Sequence, residues 1–222
     1  MIKAVIFDMD GVIIDSEPLH YKIFMNYTKS SFGLTISDEE YDTFIGTTNK
    51  SIFSMLQKRH GVRGNLDTMV EEYEEQYLTF LMTANSEKPI DGVDILVKNL
   101  HQCNMKLALA SSSPKEHIKI ILNMFKLDEF FAAAVSGQEV KAGKPAPDIF
   151  LRAAEFLGVL PKECLVFEDS RNGVSAAKKA GMKCIAYYNP HSGKQDLSQA
   201  DKIISSFAEV SNDIESIKKF CG

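Results

Sequence analysis

The sequence of 222 residues has no tryptophan and few cysteines, and these form neither a C-x-x-C pair nor the spacing of a metal finger. Two of the cysteines stand at the start of apolar runs, where a reduced cysteine usually acts as a small hydrophobic core residue. This use of cysteine favours a reducing compartment, so we expect a cytoplasmic protein. The four residues are Cys103, Cys164, Cys184 and Cys221.

The chain also lacks a block of basic residues. Lysine and arginine number 25 against 30 aspartates and glutamates, which gives a net charge of −5. Nucleic acid is therefore not an expected partner, because nothing neutralises a phosphate backbone. No apolar run has the length of a membrane span, and Asp8 interrupts the first run before it forms the core of a signal peptide. We expect a soluble protein without a membrane partner, with a monomer as the default state.

What the chain does contain is a repeated alternation of short apolar runs with segments of helical periodicity. This alternation is typical of a parallel α/β sheet covered on both faces. Residues 17–83 depart from it, because they contain only helical patterns. The sequence therefore predicts a doubly wound α/β core formed by residues 1–15 and 89–222, with an inserted α-helical cap at residues 16–88.

Local capping signals predict where several helices begin. Ser16 with Pro18, and Ser37 with the acidic residues after it, both precede helical patterns. Ser113 precedes Pro114 and has a glutamate three positions further on, so we interpret Ser113 as a helix N-cap and not as a site residue.

The first apolar run ends at Asp8 and Asp10, which are followed by Gly11. Alternation in an extended chain places the two carboxyl groups on the same side, and glycine permits a tight turn beside them. Two carboxylates this close repel each other. The site is therefore expected to hold a metal cation, to keep one acid protonated, or to do both.

Further polar side chains follow later apolar runs. Ser111 ends the run at 105–110, the pair Glu168 and Asp169 ends the run at 164–167, and Lys144 lies in a loop between them. Ligands of such sheets bind beyond the carboxyl ends of the strands, so we expect these groups to meet there. Oxygen donors suit a hard octahedral ion, which predicts Mg²⁺ as the cofactor. The candidate metal ligands are Asp8, Asp10, Glu168 and Asp169.

A cation beside a lysine and a hydroxyl makes a pocket for a phosphoryl group. In this pocket Asp8 is expected to attack phosphorus and form an aspartyl-phosphate. Asp10 is expected to protonate the leaving oxygen and then to activate water. Ser111 would donate to a transferring oxygen, and Lys144 would balance the charge.

Four segments, in the same order, resemble the motifs of the haloacid dehalogenase superfamily, and the likeness to its β-phosphoglucomutase and phosphatase branch extends over nearly the whole chain. The resemblance implies a Rossmann-like core, a helical cap that closes over the substrate, Mg²⁺, and phosphoryl transfer through Asp8. Asp10 favours phosphate chemistry, because the dehalogenases of the superfamily lack that acid. The motifs are Asp8-Met9-Asp10-Gly11-Val12, Ser111 after an apolar run, Lys144 before Pro145, and Glu168-Asp169.

In the mutases that the chain resembles, a cap arginine and a cap lysine hold the distal phosphate of a sugar bisphosphate. Asn49 and Tyr73 occupy the corresponding positions here, whereas His20, which restrains the acid/base aspartate in mutases, is retained. Asparagine cannot replace the bidentate contact of arginine. We therefore expect a phosphatase of a small phosphorylated metabolite, notably a sugar phosphate, with β-phosphoglucomutase as the alternative. Candidate substrate contacts besides Ser111 and Lys144 are Ser112, His20 and Asn49.

An alternative of another class is a signalling receiver domain, which also sets an acceptor aspartate, a Ser/Thr and a lysine in that order on a doubly wound sheet. Two features argue against it. The acidic pair Glu168-Asp169 lies near the C-terminal end of the core, and Asp10 supplies a base that a long-lived phosphoaspartate would avoid.

Overall fold

The computed structural model describes residues 1–45, 47–83 and 87–220, so Cys221 lies outside the described residues. The described residues contain a sheet of six strands in the order β3-β2-β1-β4-β5-β6, and all neighbouring strands are parallel. The strands are β1 (Ala4–Phe7), β2 (Lys106–Ser111), β3 (Ala133–Ser136), β4 (Cys164–Glu168), β5 (Lys183–Tyr187) and β6 (Lys202–Ile204).

Strand β1 lies in the interior of the sheet, between β2 and β4. Phe7 pairs with Leu109 of β2 on one side and with Phe167 of β4 on the other. Every residue of β1 is fully buried, which is why the strand is a continuous apolar run without alternation. The predicted doubly wound α/β fold is confirmed. The strand order reverses at β1, and such a switch point is where ligands bind in sheets of this type.

Helices that follow the strands cover the sheet. The apolar faces of the helices Asp148–Leu157 and Arg171–Lys179 form one buried cluster with the strands, which contains Phe150, Ala108 and Val174. Cys164 and Cys184 are fully buried in the same cluster, as expected for small core residues. The helices are α5 (Val93–Gln102), α6 (Lys115–Met124), α7 (Asp148–Leu157), α8 (Arg171–Lys179), α9 (Ala208–Ser211) and α10 (Ile214–Lys218).

The chain divides into two compact units. Among the described residues, the sheet unit comprises 1–15, 87–190 and 194–220, and the helical unit comprises 16–83 and 191–193. No helix within the described ranges combines the length and the apolar character that a membrane span requires. The helices of the second unit are α1 (Glu17–Phe32), α2 (Asp38–Asp42), α3 (Asn49–His60) and α4 (Leu66–Thr83).

Aromatic side chains form the core of the helical unit. Phe24 of α1 makes an edge contact with Tyr73 of α4 at 6.2 Å, and Tyr27 makes one with Phe53 of α3 at 5.6 Å. All four rings are buried. Edge contacts of this kind add to the gain from burial, so the packing of α1, α3 and α4 does not depend on the sheet for its own apolar core.

The N-cap predictions for Ser16 and Ser37 have different outcomes. The Ser37 hydroxyl accepts a hydrogen bond from the Glu40 backbone N–H at 3.2 Å, as a helix cap does. Ser16 also occupies an N-cap position, but it has helical dihedral angles and its side chain makes no capping bond. Pro18 in the first turn therefore marks the start of α1 without a side-chain cap.

Candidate active site

The carboxyl ends of the central strands bring the predicted polar side chains together. Asp8 follows β1, and its backbone N–H donates to the Phe167 carbonyl of β4 at 2.9 Å, so it lies level with the end of that strand. Ser111 ends β2 and Glu168 ends β4. The side chains at this edge are buried, which removes them from bulk water and strengthens the interactions among their charges.

Lys144 lies between two of the acids. Its ammonium group donates to an Asp8 oxygen at 2.6 Å, to a Glu168 oxygen at 2.7 Å and to the Ala110 carbonyl at 3.2 Å. It also lies 5.0 Å from the centre of the Phe150 ring. One buried cation is thereby held by two carboxylates, a carbonyl and an aromatic face, so its position is fixed.

The charges and the burial of Asp8 and Lys144 shift the pKa values of both groups. Burial raises the pKa of Asp8 from 3.8 to about 7, against the lowering effect of Lys144, and the nearby charges of Glu168 and Asp10 add to the increase. Burial alone would lower the pKa of Lys144, but the charges of Asp8 and Glu168 outweigh it and raise that pKa. The lysine therefore stays cationic, and Asp8 without a bound metal titrates near neutrality.

Glu168 is held by the start of α8. One of its oxygens accepts from the backbone N–H groups of Asp169 and Ser170, each at 2.8 Å, and from the Ser170 hydroxyl at 2.9 Å. A side-chain carbon at Gly173 would lie 1.6 Å from the Glu168 carboxylate, so only glycine leaves room for it. Since helix N-termini favour negative charge, this arrangement keeps Glu168 directed at Lys144.

Three buried carboxylates form a cluster that fits a divalent cation. Asp8, Glu168 and Asp169 each offer an oxygen, and these oxygens lie within 4.8 Å of one another. An all-oxygen donor set with three carboxylates is the chemistry that Mg²⁺ prefers. Among the described residues, the cluster that meets this distance does not include Asp10, the fourth candidate ligand.

Asp10 is directed towards the loop after β2. One oxygen of its carboxylate accepts from the Ser113 hydroxyl at 2.7 Å and from the Ser111 hydroxyl at 3.4 Å, and the Ser113 N–H donates to the Ser111 oxygen at 3.0 Å. Asp8 and Asp10 therefore have different partners: a lysine for the first and two serine hydroxyls for the second.

The N-cap prediction for Ser113 is wrong. Helix α6 begins at Lys115, its N-cap residue is Pro114, and no side chain caps it. Ser113 does not cap the helix because its hydroxyl donates to Asp10. Ser112, a predicted substrate contact, is exposed, and its backbone lies against Gly137.

The other two predicted substrate contacts belong to the helical unit. The Nδ1 atom of His20 lies 2.9 Å from the Tyr73 hydroxyl, and the His20 ring stacks on Tyr77 with centroids 4.1 Å apart. The side-chain amide of Asn49, the first residue of α3, donates to a carboxylate oxygen of Glu74. The position expected for an arginine in a mutase thus carries a neutral amide bonded to an acid.

The sequence patterns also missed residues that support the site. Ser170 caps α8 through the Gly173 N–H at 3.0 Å, and a serine after the run ending at Asp169 is a local signal that could have indicated this. Asn189 donates to the Gly11 carbonyl, 178 residues away in sequence. No local pattern indicates that contact.

Comparison with known proteins agrees with the geometry. Residues 5–187 match the haloacid dehalogenase-like hydrolase family, and the chain belongs to that family. It is 33% identical over 183 residues to a phosphorylated carbohydrates phosphatase of Thermotoga maritima, covering 82% of this chain and 83% of the relative. It is 34% identical to a putative phosphatase, YhcW, of Bacillus subtilis, covering 95% and 94%.

Solved structures show the same fold. CbbY of Rhodobacter sphaeroides in complex with phosphate has a TM-score of 0.82 at 25% identity, covering 95% of this chain and 96% of that chain. A putative β-phosphoglucomutase of Thermotoga maritima has a TM-score of 0.81 at 29% identity, covering 97% and 100%. The chain is therefore an enzyme of the phosphatase or phosphomutase kind. The family assignment favours this class over the receiver-like alternative.

Proposed function

We propose that the protein is a Mg²⁺-dependent phosphatase of a small phosphorylated carbohydrate, acting through a phosphoaspartate at Asp8. The observation that carries the proposal is the buried Asp8 carboxylate, held at 2.6 Å by Lys144 at the carboxyl end of the central strand. A nucleophile fixed in this way needs little reorganisation before it attacks. The Thermotoga maritima relative is named for phosphorylated carbohydrates, which supports this class of substrate.

Asp8, Glu168 and Asp169 are the residues that would hold Mg²⁺, since their oxygens converge and zinc would call for histidine or cysteine. When bound, the ion supplies positive charge that stabilises the transferring phosphoryl group and keeps the acids ionised. Both oxygens of Glu168 already accept hydrogen bonds, one from Lys144 and the other from the start of α8, so Asp8 and Asp169 are the principal ligands in this proposal.

In the first step an oxygen of Asp8 attacks phosphorus, and the bond between phosphorus and the substrate oxygen breaks. Asp10 gives its proton to that leaving oxygen, so the carbohydrate departs as an alcohol. Lys144 balances the charge of the phosphoryl oxygens, and Ser111 donates a hydrogen bond to one of them.

In the second step Asp10, now ionised, takes a proton from a water molecule as that water attacks the phosphorus of the phosphoaspartate. The Asp8–phosphorus bond breaks, inorganic phosphate forms, and Asp8 is restored as a carboxylate. Asp10 ends with the proton it had at the start. The hydroxyl of Ser113 keeps Asp10 directed at the reacting atoms in both steps.

A phosphatase is favoured over a mutase because of Asn49. Its amide is bonded to Glu74, so this position offers no cation for a second phosphate. The likeness to a putative β-phosphoglucomutase keeps the mutase as the second candidate. We also propose that residues 16–88 form a cap that determines which substrate is accepted, with His20 as a candidate substrate contact on it.

A panel of phosphorylated metabolites with Mg²⁺, assayed for both phosphate release and isomerisation, tests the proposal. We expect phosphate release from a sugar monophosphate, and no turnover in Asp8→Asn with the fold intact. Conversion of β-glucose 1-phosphate to glucose 6-phosphate faster than phosphate release would favour the mutase. Undiminished turnover in Asp8→Asn would reject Asp8 as the nucleophile.

A further inference from the structure

Asn189 is a buried polar residue outside the cluster of acids. It lies two residues after the end of β5 and is 5% exposed. Its side-chain nitrogen donates to the Gly11 carbonyl at 3.3 Å and to a carboxylate oxygen of Asp15 at 3.2 Å. A buried amide nitrogen with two acceptors contributes more to a fixed geometry than an exposed one does.

The two acceptors lie at the ends of the turn at residues 10–15. Gly11 has a φ of 77°, and its N–H donates to the Ile14 carbonyl at 2.8 Å. The N–H groups of Ile13 and Ile14 both donate to the Met9 carbonyl. These bonds fix the turn internally. Asn189, in the loop after β5, adds one hydrogen bond at each end of the turn.

Asp10 directly precedes Gly11, whose carbonyl belongs to the peptide bond between Gly11 and Val12, so a bond to that carbonyl restrains the turn that begins at Asp10. Ser113 holds the Asp10 carboxylate at 2.7 Å, which fixes the side chain from the β2 side. Asn189 acts on the backbone from the β5 side. Asp10 is thus restrained at two points, by Ser113 and by Asn189, which are far apart in the sequence.

The loop that carries Asn189 also supplies residues to the helical unit. Residues 191–193 belong to that unit, and a side-chain carbon at Gly193 would lie 3.1 Å from Ile45. Asp15, the other acceptor of Asn189, is the last residue of the sheet unit before the first crossing of the chain. The bond between Asn189 and Asp15 therefore joins two of the chain segments that lead into the helical unit.

We propose that Asn189 is a positioning residue for Asp10. It holds the Gly11 carbonyl and Asp15, and so keeps the turn at residues 10–15 in the conformation that directs Asp10 at the reacting atoms. The proposal rests on the acid/base function proposed for Asp10. A small misplacement of an acid/base group is costly, since about 1 Å can lower a rate by about 10²-fold.

The test compares Asn189→Ala with Asn99→Ala. Asn99 is the matched control, because its side-chain nitrogen also donates to a backbone carbonyl, that of Ser211 at 2.9 Å, in a part-buried position of α5. We expect Asn189→Ala to lower kcat by about 10-fold or more with KM nearly unchanged, and Asn99→Ala to leave both unchanged. Equal kcat values in the two folded variants would overturn the proposal.

A double variant distinguishes the bond from Asn189 to Gly11 from its bond to Asp15, and it provides a second test if Asn189→Ala fails to fold. In the double variant Asp15→Asn with Asn189→Asp, the amide and the carboxylate exchange places, so the bond between the two residues is retained. The Gly11 carbonyl then faces a carboxylate and loses its donor. We expect kcat to stay low in this pair. Full recovery of kcat would show that the Gly11 bond does not position Asp10, and would overturn the proposal.

Hydrogen exchange supplies a readout that does not depend on the reaction. We expect faster exchange of the amides at residues 11–15 in Asn189→Ala than in the wild type, and unchanged exchange there in Asn99→Ala. Unchanged exchange in Asn189→Ala would overturn the proposed restraint. If Asp10→Asn keeps full activity, the proposed function of Asp10 fails, whereas the exchange result still decides whether Asn189 holds the turn.

Discussion

The ammonium group of Lys144 lies 2.6 Å from a carboxylate oxygen of Asp8, and both side chains are more than nine-tenths buried. The same ammonium group bonds Glu168 at 2.7 Å. If Lys144 is removed, two buried carboxylates remain side by side without a protein counter-charge, which is unfavourable. Lys144 therefore determines both the charge and the geometry around the proposed nucleophile.

The first prediction concerns this lysine. We expect Lys144→Ala to lower turnover by about 10²-fold or more, because a preorganised cation next to the transferring group is lost. Lys141→Ala is the matched control, since Lys141 is an exposed lysine in the same loop. Steady-state phosphate release measures both variants. Comparable rates for the two would contradict the role proposed for Lys144.

The second prediction concerns Ser113, whose hydroxyl donates to Asp10 at 2.7 Å. We expect Ser113→Ala to reduce kcat by about 10-fold, the value of one hydrogen bond. Ser113→Thr keeps a hydroxyl at the same position and should recover most of the rate. Equal kcat values for the folded alanine and threonine variants would contradict the role proposed for the Ser113 hydroxyl.

The third prediction uses the raised pKa of Asp8, which is about 7 in the metal-free fold against 3.8 for the ordinary group. Between these pH values the folded state binds more protons than the unfolded state, so stability decreases as pH rises from about 4 to about 7. Above pH 7 the whole decrease in folding stability caused by the ionised Asp8 is present. Asp8→Asn lacks the charge and should therefore unfold at a higher temperature than the wild type at pH 8.

Thermal unfolding in the presence of a chelator, at several pH values, measures this difference. It should shrink as pH falls and vanish well below pH 3.8, where Asp8 is protonated in both states. Each kcal/mol corresponds to a shift of about 2–4 °C for a chain of this length. A difference that does not change with pH, or an Asp8→Asn variant that is less stable at pH 8, would contradict the raised pKa.

The fourth prediction concerns the proposed metal site. Chelation should stop turnover, and added Mg²⁺ should restore it. Asp169→Asn should raise the Mg²⁺ concentration needed for half-maximal activity by about 10-fold or more, because one charged ligand is lost. Asp213→Asn, which changes an acid of the α10 N-cap, is the control. Undiminished activity without divalent cations would reject the site.

The strand ends could be predicted from the sequence because buried parallel strands are continuous apolar runs that stop where a polar residue begins. This rule finds Asp8, Ser111 and Glu168 without any tertiary information, and parallel packing then brings them to one edge. The fold class follows from the same alternation. These inferences need only the local pattern and the topology that it implies.

The support of Asp10 could not be predicted in the same way. Ser113 has a local capping pattern, but its hydroxyl bonds to Asp10, 103 residues away in sequence. Asn189 follows a strand, as many turn residues do, and its partner Gly11 is 178 residues away. Contacts of this kind depend on how loops approach one another in the folded chain.

The most direct test of the proposed mechanism is to locate the covalent phosphate. The Mg²⁺-loaded enzyme is mixed with a radiolabelled sugar phosphate, quenched within one turnover, reduced with borohydride and digested for mass spectrometry. Borohydride converts a phosphorylated aspartate to homoserine, so the account predicts homoserine at position 8 and none in Asp8→Asn. Labelled phosphate released with no modified residue at any time point, or homoserine at Asp10 in place of Asp8, would contradict it.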